Sequence, residues 1–510
     1  MTTARTTSRW TVVAVLCLSL LAVVIDTTIV NTALPTLARE LDASSSDLQW
    51  IVDGYTLAFA GLLLVAGAAG DRYGRHRALS AGLVVFGAAS GLAALSSSAG
   101  QLIAARALMG AGAALVMPAT LSILSDVFRD DPVGRAKAIG IWCGVSGLGV
   151  AIGPSAGGLL LDHFAWGSIF LVNLPVVVLA LGLGRRFVPA SRAEHPAGMD
   201  PVGAVLSIAG LVAITYAVIE GPVNGWTSAA TLIPGIAGVA LLGAFAAWER
   251  RQPQPMLDVR LFANLRFTAA SLSVTTVFFA LFGALFLLTQ ILQLVLGWST
   301  VKAGFGAMPF ALTVGVTSPL AAQVAKRIGT KIPVVAGLLL MAAGLAQMGT
   351  ATTASGYGHF VVATVLMAAG MGFAMAPATE SIMGALPPEQ AGVGSAVNDT
   401  TRGIGGVMGV AILGSIANAG YVSNLGDAAA HLPQPAADTA SSSLAGALAV
   451  AHSAPAAVGH PLTLAAQDAF VRAADRGVLF AAIVAVAGAL FAWRALPARA
   501  TAHDPAMATA

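Results

Sequence analysis

Long apolar stretches alternate with short polar connections along almost the whole chain. A helix needs about 20 apolar residues to cross a membrane, and in lipid each spanning segment must satisfy its own backbone hydrogen bonds. The pattern therefore predicts an all-α integral membrane protein with about fourteen transmembrane helices. The predicted spans are residues 10–34, 48–69, 78–95, 101–124, 137–161, 168–187, 202–219, 229–248, 267–296, 304–324, 332–350, 358–378, 394–419 and 477–496.

The charged connections predict which ends of these helices face the cytoplasm. The turn at residues 67–77 carries Arg72, Arg75 and Arg77 between two apolar runs, and short basic loops stay on the cytoplasmic side. With this turn inside, about twenty of the 26 lysines and arginines fall in cytoplasmic segments and about four fall outside. The asymmetry predicts that both termini are cytoplasmic.

Composition agrees with a membrane protein and excludes several other classes. Of the 510 residues 57% are hydrophobic and only 10% are charged, whereas soluble proteins carry about 25% charged residues. Basic patches with interleaved aromatic residues are absent from the sequence, which argues against nucleic-acid binding. Cys17 and Cys143 lie in apolar runs, so we expect neither a disulfide nor a metal site. The sequence also lacks a nucleotide-binding loop, and we therefore expect no cofactor.

A weak internal repeat suggests how the helices are grouped. Asp71-Arg72-Tyr73-Gly74 is echoed at residues 326–329, after the second span of the second half. Such echoes are typical of transporters built from two related bundles. We predict these segments: cytoplasmic N-terminus 1–9, six-helix bundle 10–190, two extra helices 200–250, six-helix bundle 265–497 and cytoplasmic tail 498–510. Residues 420–475, within the second bundle, are predicted to form a flexible or partly helical extracellular loop.

Three ionisable residues of the first bundle are candidates for function, because charges inside membrane spans are costly. Asp26 lies about 24 Å along the first predicted span, at 1.5 Å per residue. Asp53 and Arg106 stand near the outer starts of the second and fourth spans. At similar depths, the three could share one polar cavity in which Asp26 takes up and releases a proton. The alternatives are a structural hydrogen-bond role for Asp26 and a solvent-facing helix end for Asp53.

The second bundle has one comparable interruption, at Asp399 and Arg402 in the thirteenth span. Residues three apart share a helix face and can pair. The pair could be a static ion pair or could take part in proton coupling and gating. Glu380 stands at the inner end of its span and could simply be interfacial.

Two other patterns allow both a functional and a packing interpretation. The fifth span is crowded with glycines and a proline: Gly149, Gly153, Pro154, Gly157 and Gly158. Such a helix could bend or press on a neighbouring helix, or it could simply be tightly packed. In the ninth span, Phe278, Phe282 and Phe286 recur at helical spacing, which favours packing over a cavity wall for aromatic or cationic ligands.

These motifs resemble those of the major facilitator superfamily, and within it the fourteen-span drug:proton antiporters. Gly70, Asp71, Arg72, Gly74 and Arg75 match the loop motif of the superfamily. The resemblance implies that the acidic and basic members form a charge relay between helices, which holds the outward-facing state. It also implies the major facilitator fold, with two six-helix bundles and two extra linker helices.

Further matches point to the drug exporters. Residues 26–35 resemble their first-span signature, in which the aspartate serves proton coupling or cation binding. Arg106 with Gly110 and Gly112 resembles the motif linked to proton transfer, and residues 153–158 resemble the motif that distinguishes exporters. Residues 200–203 begin the seventh span as in this group.

Two departures from the family pattern stand out. Residues 166–175 lack the Arg-Trp pair that many relatives carry, which puts the outer contact of the sixth span in question. Asp399 is the only acid where some exporters of multivalent cations carry several, so the sequence gives no basis for assigning divalent cationic substrates.

The sequence thus predicts a secondary transporter rather than an enzyme, driven by the proton gradient and exporting drugs, antibiotics or other lipophilic, often cationic compounds. We expect a monomer in the cytoplasmic membrane of a bacterium. The alternatives are an exporter or flippase of a dedicated lipid or metabolite, a nutrient symporter on the same fold, and a non-transporting membrane subunit.

Overall fold

The computed structural model describes residues 8–41, 43, 45–192, 200–253, 255, 257–386, 390–426, 428 and 432–497. Within these ranges the chain is almost entirely helical and has no β-strand. Fourteen helices in them are long and apolar enough to cross a membrane, which confirms the predicted number of spans. The terminal residues 1–7 and 498–510, predicted to be cytoplasmic, lie outside the described residues.

The first six spans pack into one bundle. Within it α1 packs on α5 and α7, and α4 packs on α2 and α3. The short α6 and α7 together make the sixth span. The helices are α1 (Arg9–Glu40), α2 (Ser45–Tyr73), α3 (Arg75–Ala94), α4 (Ala99–Val127), α5 (Pro132–His163), α6 (Ser168–Leu171) and α7 (Asn173–Phe187).

Two extra helices follow, α8 (Pro201–Asn224) and α9 (Ala229–Glu249). The Asp200 side chain accepts the Val202 N–H and caps the start of α8. Helix α8 packs on α9 and also on α2 of the first bundle and on α15 of the second. It therefore touches both bundles.

The second bundle holds the remaining six spans. The tenth span is made of α11 and α12 together. The helices are α10 (Leu265–Gln290), α11 (Thr300–Gly306), α12 (Met308–Ile328), α13 (Lys331–Met348), α14 (Tyr357–Gly384), α15 (Ala391–Leu425), α16 (Gln434–Ser442), α17 (Leu444–Ser453) and α18 (Ala456–Ala495). A short 3₁₀ helix, Val259–Ala263, precedes α10, and the π-helical turn Ile291–Val295 follows it.

Two segments differ in extent from the apolar runs of the sequence. The basic turn at 67–77 is helical except at Gly74, whose φ of 112° is a conformation that glycine adopts readily. Helix α18 begins at Ala456, far before the predicted span at 477. Helices α16 and α17 occupy part of the segment predicted to be a flexible or partly helical loop. The Tyr421 hydroxyl ties α15 to this segment by donating to the Ala440 carbonyl at 2.9 Å.

The two bundles meet along two seams, α2 with α15 and α5 with α12. We call the end that carries Gly74 the inner end, because its charges predict that it is cytoplasmic, and the opposite end the outer end. At the inner end, α2 and α15 approach at Gly67 and Gly392, where neither helix has a side chain between the backbones. The structure is therefore closed along this seam at the inner end.

Candidate functional site

Asp26 lies in the middle of α1, and its side chain is completely buried. Arg106 of α4 is buried beside it, with Nη1 2.5 Å from Asp26 Oδ2. Removing one partner of a buried ion pair strongly destabilises the folded protein, because the other partner is left as an uncompensated charge. The structure thus joins two of the three residues that the sequence placed in one cavity.

A third residue holds the Asp26 carboxylate from the opposite side. Asn173, the first residue of α7, donates from Nδ2 to Asp26 Oδ1 and to Ser90 Oγ, both at 3.0 Å. Ser90 in turn donates to the Phe170 carbonyl at 2.9 Å. Sequence reasoning missed Asn173, although a lone amide between apolar residues in a span is itself a signal of a buried hydrogen bond.

Replacing Asn173 by alanine should destabilise the protein by about 1–3 kcal/mol, because a buried carboxylate oxygen loses a donor. Thermal unfolding of the purified protein in detergent measures the effect. Asn224→Ala is the matched control, since Asn224 makes an exposed hydrogen bond to Glu220. Equal melting temperatures for the two variants would contradict the role of Asn173.

Arg106 is also fixed by α2. Its Nε donates to the Ile51 carbonyl at 3.1 Å, and its Cζ lies 4.3 Å from the centre of the Tyr55 ring. Asp53 is half-buried on the same helix, between these two contact residues. A part for Asp53 in proton transfer stays a prediction.

The loop motif joins the two bundles at the inner end. Asp71 Oδ1 is 2.7 Å from Arg75 Nε, and both side chains are buried. Asp71 Oδ2 accepts the N–H groups of Gly392, at 2.7 Å, and Val393, at 3.3 Å. These donors belong to the first turn of α15, where free N–H groups and the helix dipole attract an anion. Asp71 is therefore an anionic cap that one bundle places on a helix of the other.

Arg75 is held in turn by Asp126 and Ser191. Its Nη1 lies 3.5 Å from Asp126 Oδ1 and 3.4 Å from Ser191 Oγ, and the Ser191 hydroxyl donates to Asp126 at 2.7 Å. Neither Asp126 nor Ser191 was predicted from the sequence to take part in this motif. Gly70 is buried, whereas the Arg72 side chain is exposed.

A side chain at Gly67 should separate the bundles at the inner end. A Cβ there would lie 2.5 Å from the Gly392 carbonyl oxygen and 2.9 Å from the Ala396 Cβ. We expect Gly67→Val to destabilise the closed arrangement by about 1–3 kcal/mol through overpacking. Val393, now 2% exposed, should then become reachable as Val393→Cys.

The measurement is the rate at which a maleimide labels Val393→Cys, with and without Gly67→Val. Gly70→Ala is the control, because a Cβ there meets only Ala78 of the same bundle, at an ordinary 3.5 Å. An unchanged labelling rate with Gly67→Val would show that the closure does not depend on this contact.

The glycines of the fifth span bring α5 against α1 around Asp26. A Cβ at Gly149 would lie 2.8 Å from Val24 Cγ1, one at Gly153 would meet the Thr28 hydroxyl, and one at Gly157 would lie 2.9 Å from Ile29 Cγ1. Close backbone approach therefore accounts for these glycines. Pro154 and Gly158 lie in the same helix, and a bending role for this motif stays a prediction.

A second buried polar group lies between the bundles, at the Asp399–Arg402 pair of α15. Asp399 Oδ1 is 3.4 Å from Arg402 Nη1, so the predicted pairing is present. Arg402 Nη2 donates across the seam to Ser146 Oγ of α5 at 2.6 Å. The Arg402 guanidinium lies over two rings, 4.9 Å from the centre of Trp142 and 4.7 Å from the centre of Phe278.

The aromatic residues of the ninth span have different environments. Phe278 is buried and stacks on Phe282, with ring centres 5.8 Å apart, whereas Phe286 is 40% exposed. Phe278 therefore lines the inter-bundle polar group, in addition to packing within its own bundle.

Glu380 forms a further contact between the bundles. Its Oε1 accepts from Arg135 Nη2 at 2.6 Å and from Arg135 Nε at 2.9 Å. Arg135 lies in the first turn of α5, so the pair joins the inner ends of α5 and α14. Glu380 is thus part of an inter-bundle ion pair. Among the described residues, no group of three or more His, Cys, Asp or Glu side chains could hold a metal ion.

Residues 16–410 match the Major Facilitator Superfamily. Among known proteins, the multidrug efflux pump LfrA of Mycolicibacterium smegmatis is 36% identical over 484 residues, 95% of each chain. The methyl viologen resistance protein SmvA of Salmonella typhimurium is 35% identical, covering 91% of this chain and 93% of its own. The tetracenomycin C resistance and export protein of Streptomyces glaucescens is 32% identical, covering 96% and 92%.

Solved structures show the same fold at low sequence identity. The proton:xylose symporter XylE superposes with a TM-score of 0.61 at 14% identity, covering 96% of both chains. The human organic anion transporter MFSD10 superposes with a TM-score of 0.60 at 15% identity, covering 94% of this chain and 99% of its own. Sequence and fold agree that this chain belongs to the major facilitator superfamily, whose members are secondary transporters rather than enzymes.

Proposed function

We propose that this protein exports drug-like compounds in exchange for protons. Membership of the superfamily and the relatives named for multidrug efflux and antibiotic resistance support drug efflux. Proton coupling is our inference from the structure. The observation that carries it is the fully buried Asp26, held by Arg106 and Asn173 inside the first bundle.

A buried carboxylate of this kind suits proton exchange because its two charge states favour different surroundings. Burying a charge is costly unless it is paired, whereas a protonated carboxyl group is much cheaper to bury. The charged form of Asp26 therefore depends on Arg106, and the neutral form does not. In the proposed cycle, Asp26 takes a proton from an outward-open cavity, and loss of the proton to the inside precedes drug binding. Asp53 is a second candidate in the same pathway.

Alternating access follows from rocking of the two bundles, residues 10–190 and 265–497. In this structure the inner end is closed by the Asp71 cap on α15 and by the Arg135–Glu380 pair. Both contacts must break for the drug to enter from the cytoplasm. We assign the glycine-rich part of α5 as the element about which the bundles move, since it lies against both α1 and α12.

The extra helices, residues 200–250, contact both moving parts. Trp50 of α2 and Tyr216 of α8 lie with ring centres 6.3 Å apart, and Trp226 donates to Ser415 of α15 at 3.1 Å. We propose that α8 supports the α2–α15 seam as the bundles rock. The segment 420–475 is assigned to the extracellular side, above the second bundle.

The proposal extends to the setting of the protein. It acts as a monomer in the cell membrane of a bacterium, with the proton gradient as energy source and no resident cofactor. Its partners are the exported small molecule, protons and the lipid bilayer. The resistance proteins among the relatives favour this function over a nutrient symporter or a dedicated lipid flippase.

Reconstituted protein tests the proposal. Purified protein is placed in liposomes with an imposed pH gradient and an internal pH dye, and a panel of lipophilic cations and neutral antibiotics is added. Some compounds should trigger proton movement in protein-containing liposomes and none in empty ones. Drug movement without any proton movement would overturn proton coupling, and silence across the panel with folded protein would favour a dedicated lipid or metabolite exporter.

A further inference from the structure

The Arg402 guanidinium lies over one aromatic ring from each bundle. Trp142 comes from α5 of the first bundle and Phe278 from α10 of the second. Counted from the inner ends of their helices at 1.5 Å per residue, all three residues lie about 15–20 Å deep. This is near the middle of a hydrocarbon core about 30 Å thick. Transporters built from two repeats bind substrate at this depth, between the repeats.

The surroundings of Arg402 are built for positive charge. Ring faces attract cations, and Asp399 adds a carboxylate that is 1% exposed. Asp399 Oδ2 is buried and has no hydrogen-bond partner among the described residues. Asn398 donates only to the other oxygen, at 3.4 Å. Two ring faces and a carboxylate with an open oxygen therefore make one cation-binding cage.

Arg402 fills this cage loosely. Structural arginine–carboxylate pairs are often bidentate, with two short parallel hydrogen bonds. Here the ion pair is a single contact of 3.4 Å, and the short bond, 2.6 Å, goes to the neutral Ser146 hydroxyl. Moreover, Ser146 and Trp142 belong to the other bundle, so rocking of the bundles removes both contacts at once. Such an arginine can leave the cage when another cation offers better contacts.

We propose that Arg402 is an internal stand-in for a substrate cation, and that a flat aromatic cation replaces it between Trp142 and Phe278, against Asp399. A guanidinium and an aromatic cation are both planar and positively charged, so each can lie flat against the same ring faces. Once Arg402 has left the site, an anionic ligand would meet the Asp399 carboxylate and two ring faces, all unfavourable to negative charge. This inference deepens the proposed function by naming a substrate class and a subsite for it.

Equilibrium binding tests the inference without any pH gradient. The full-length protein is placed in lipid nanodiscs, and ethidium, a flat aromatic cation, is titrated by fluorescence anisotropy. Arg402→Gln removes the internal competitor and should tighten ethidium binding about ten-fold, whereas Asp399→Asn should weaken it about ten-fold. The affinity for the neutral antibiotic chloramphenicol should not rise in Arg402→Gln and fall in Asp399→Asn in this way.

Two further variants complete the design. Arg402→Lys keeps the charge balance but loses the planar stacking, so it should fold even if the glutamine variant does not, and should bind ethidium more tightly than wild type. Arg472→Gln is the matched control, because Arg472 is exposed and pairs with Asp468 on α18. It should bind ethidium like wild type.

Weaker or unchanged ethidium binding by the folded Arg402 variants would overturn the inference, as would equal shifts for ethidium and chloramphenicol. Failure of the proposed function would look different. If the wild-type protein exchanges a neutral drug for protons but binds no ethidium, the cation cage is wrong and the proposed function stands. If the variants bind ethidium as expected but the protein exchanges no protons, the cage stands and proton coupling is wrong.

Discussion

Asp26→Asn is expected to abolish drug-driven proton flux in liposomes while leaving the protein inserted. Asparagine has nearly the same shape as aspartate and keeps one acceptor oxygen, which can accept from Arg106, but it takes up no proton at physiological pH. The substitution also leaves the buried Arg106 charge without its partner, so some loss of stability is expected, and proton flux is compared only for protein that stays folded. The pH dye in reconstituted liposomes reports the flux, and size-exclusion chromatography reports the folded state.

Asp468→Asn is the matched control for this substitution, since Asp468 is 47% exposed and pairs with Arg472 on its own helix. It should leave proton flux near the wild-type rate. Normal proton-coupled export by the Asp26 variant would remove Asp26 from the mechanism and shift attention to Asp53 or Asp399.

Arg106→Gln is expected to destabilise the folded protein by about 3–5 kcal/mol, because it leaves the buried Asp26 charge without its partner. Combining it with Asp26→Asn should recover much of this loss, since the double variant buries no charge at this site. Thermal unfolding of the four proteins in detergent forms a double-mutant cycle that isolates the pair.

Arg472→Gln serves as the comparison, because an exposed ion pair contributes about 1 kcal/mol or less. The prediction would be contradicted by an Arg106 variant as stable as wild type, or by a double variant no more stable than the Arg106 variant. Either result would mean that the Asp26–Arg106 ion pair contributes little to stability.

The sequence predicted the spans well because lipid leaves few alternatives. Apolar length and basic loops together determine where each helix crosses. The start of α18 was missed for a physical reason: residues 456–476 are rich in alanine and have few large apolar side chains. Alanine is nevertheless the best helix former, and Leu462 and Ala466 are buried in the extension of this helix.

The sequence predicts how deep each candidate residue lies in the membrane, because depth follows from its position along a single helix. It does not predict which residues of different helices meet. Asp26 and Arg106 stand at similar depths, so their meeting could be anticipated. Asn173 could not be predicted as a partner of Asp26, because the sequence does not show which residue a lone amide in a span contacts. The contact of Arg402 with Ser146 and Trp142 depends on how two bundles are placed, which no local pattern encodes.

Proton release on drug binding would show directly whether a proton on Asp26 is exchanged for the drug. Purified protein in a weakly buffered, mildly acidic solution is titrated with a drug from the panel, and a pH indicator follows the protons released. We predict that release rises in step with bound drug for wild type, and that Asp26→Asn binds drug without releasing protons. Equal release from both proteins, or none from wild type at saturating drug, would contradict the exchange of a proton on Asp26 for the drug.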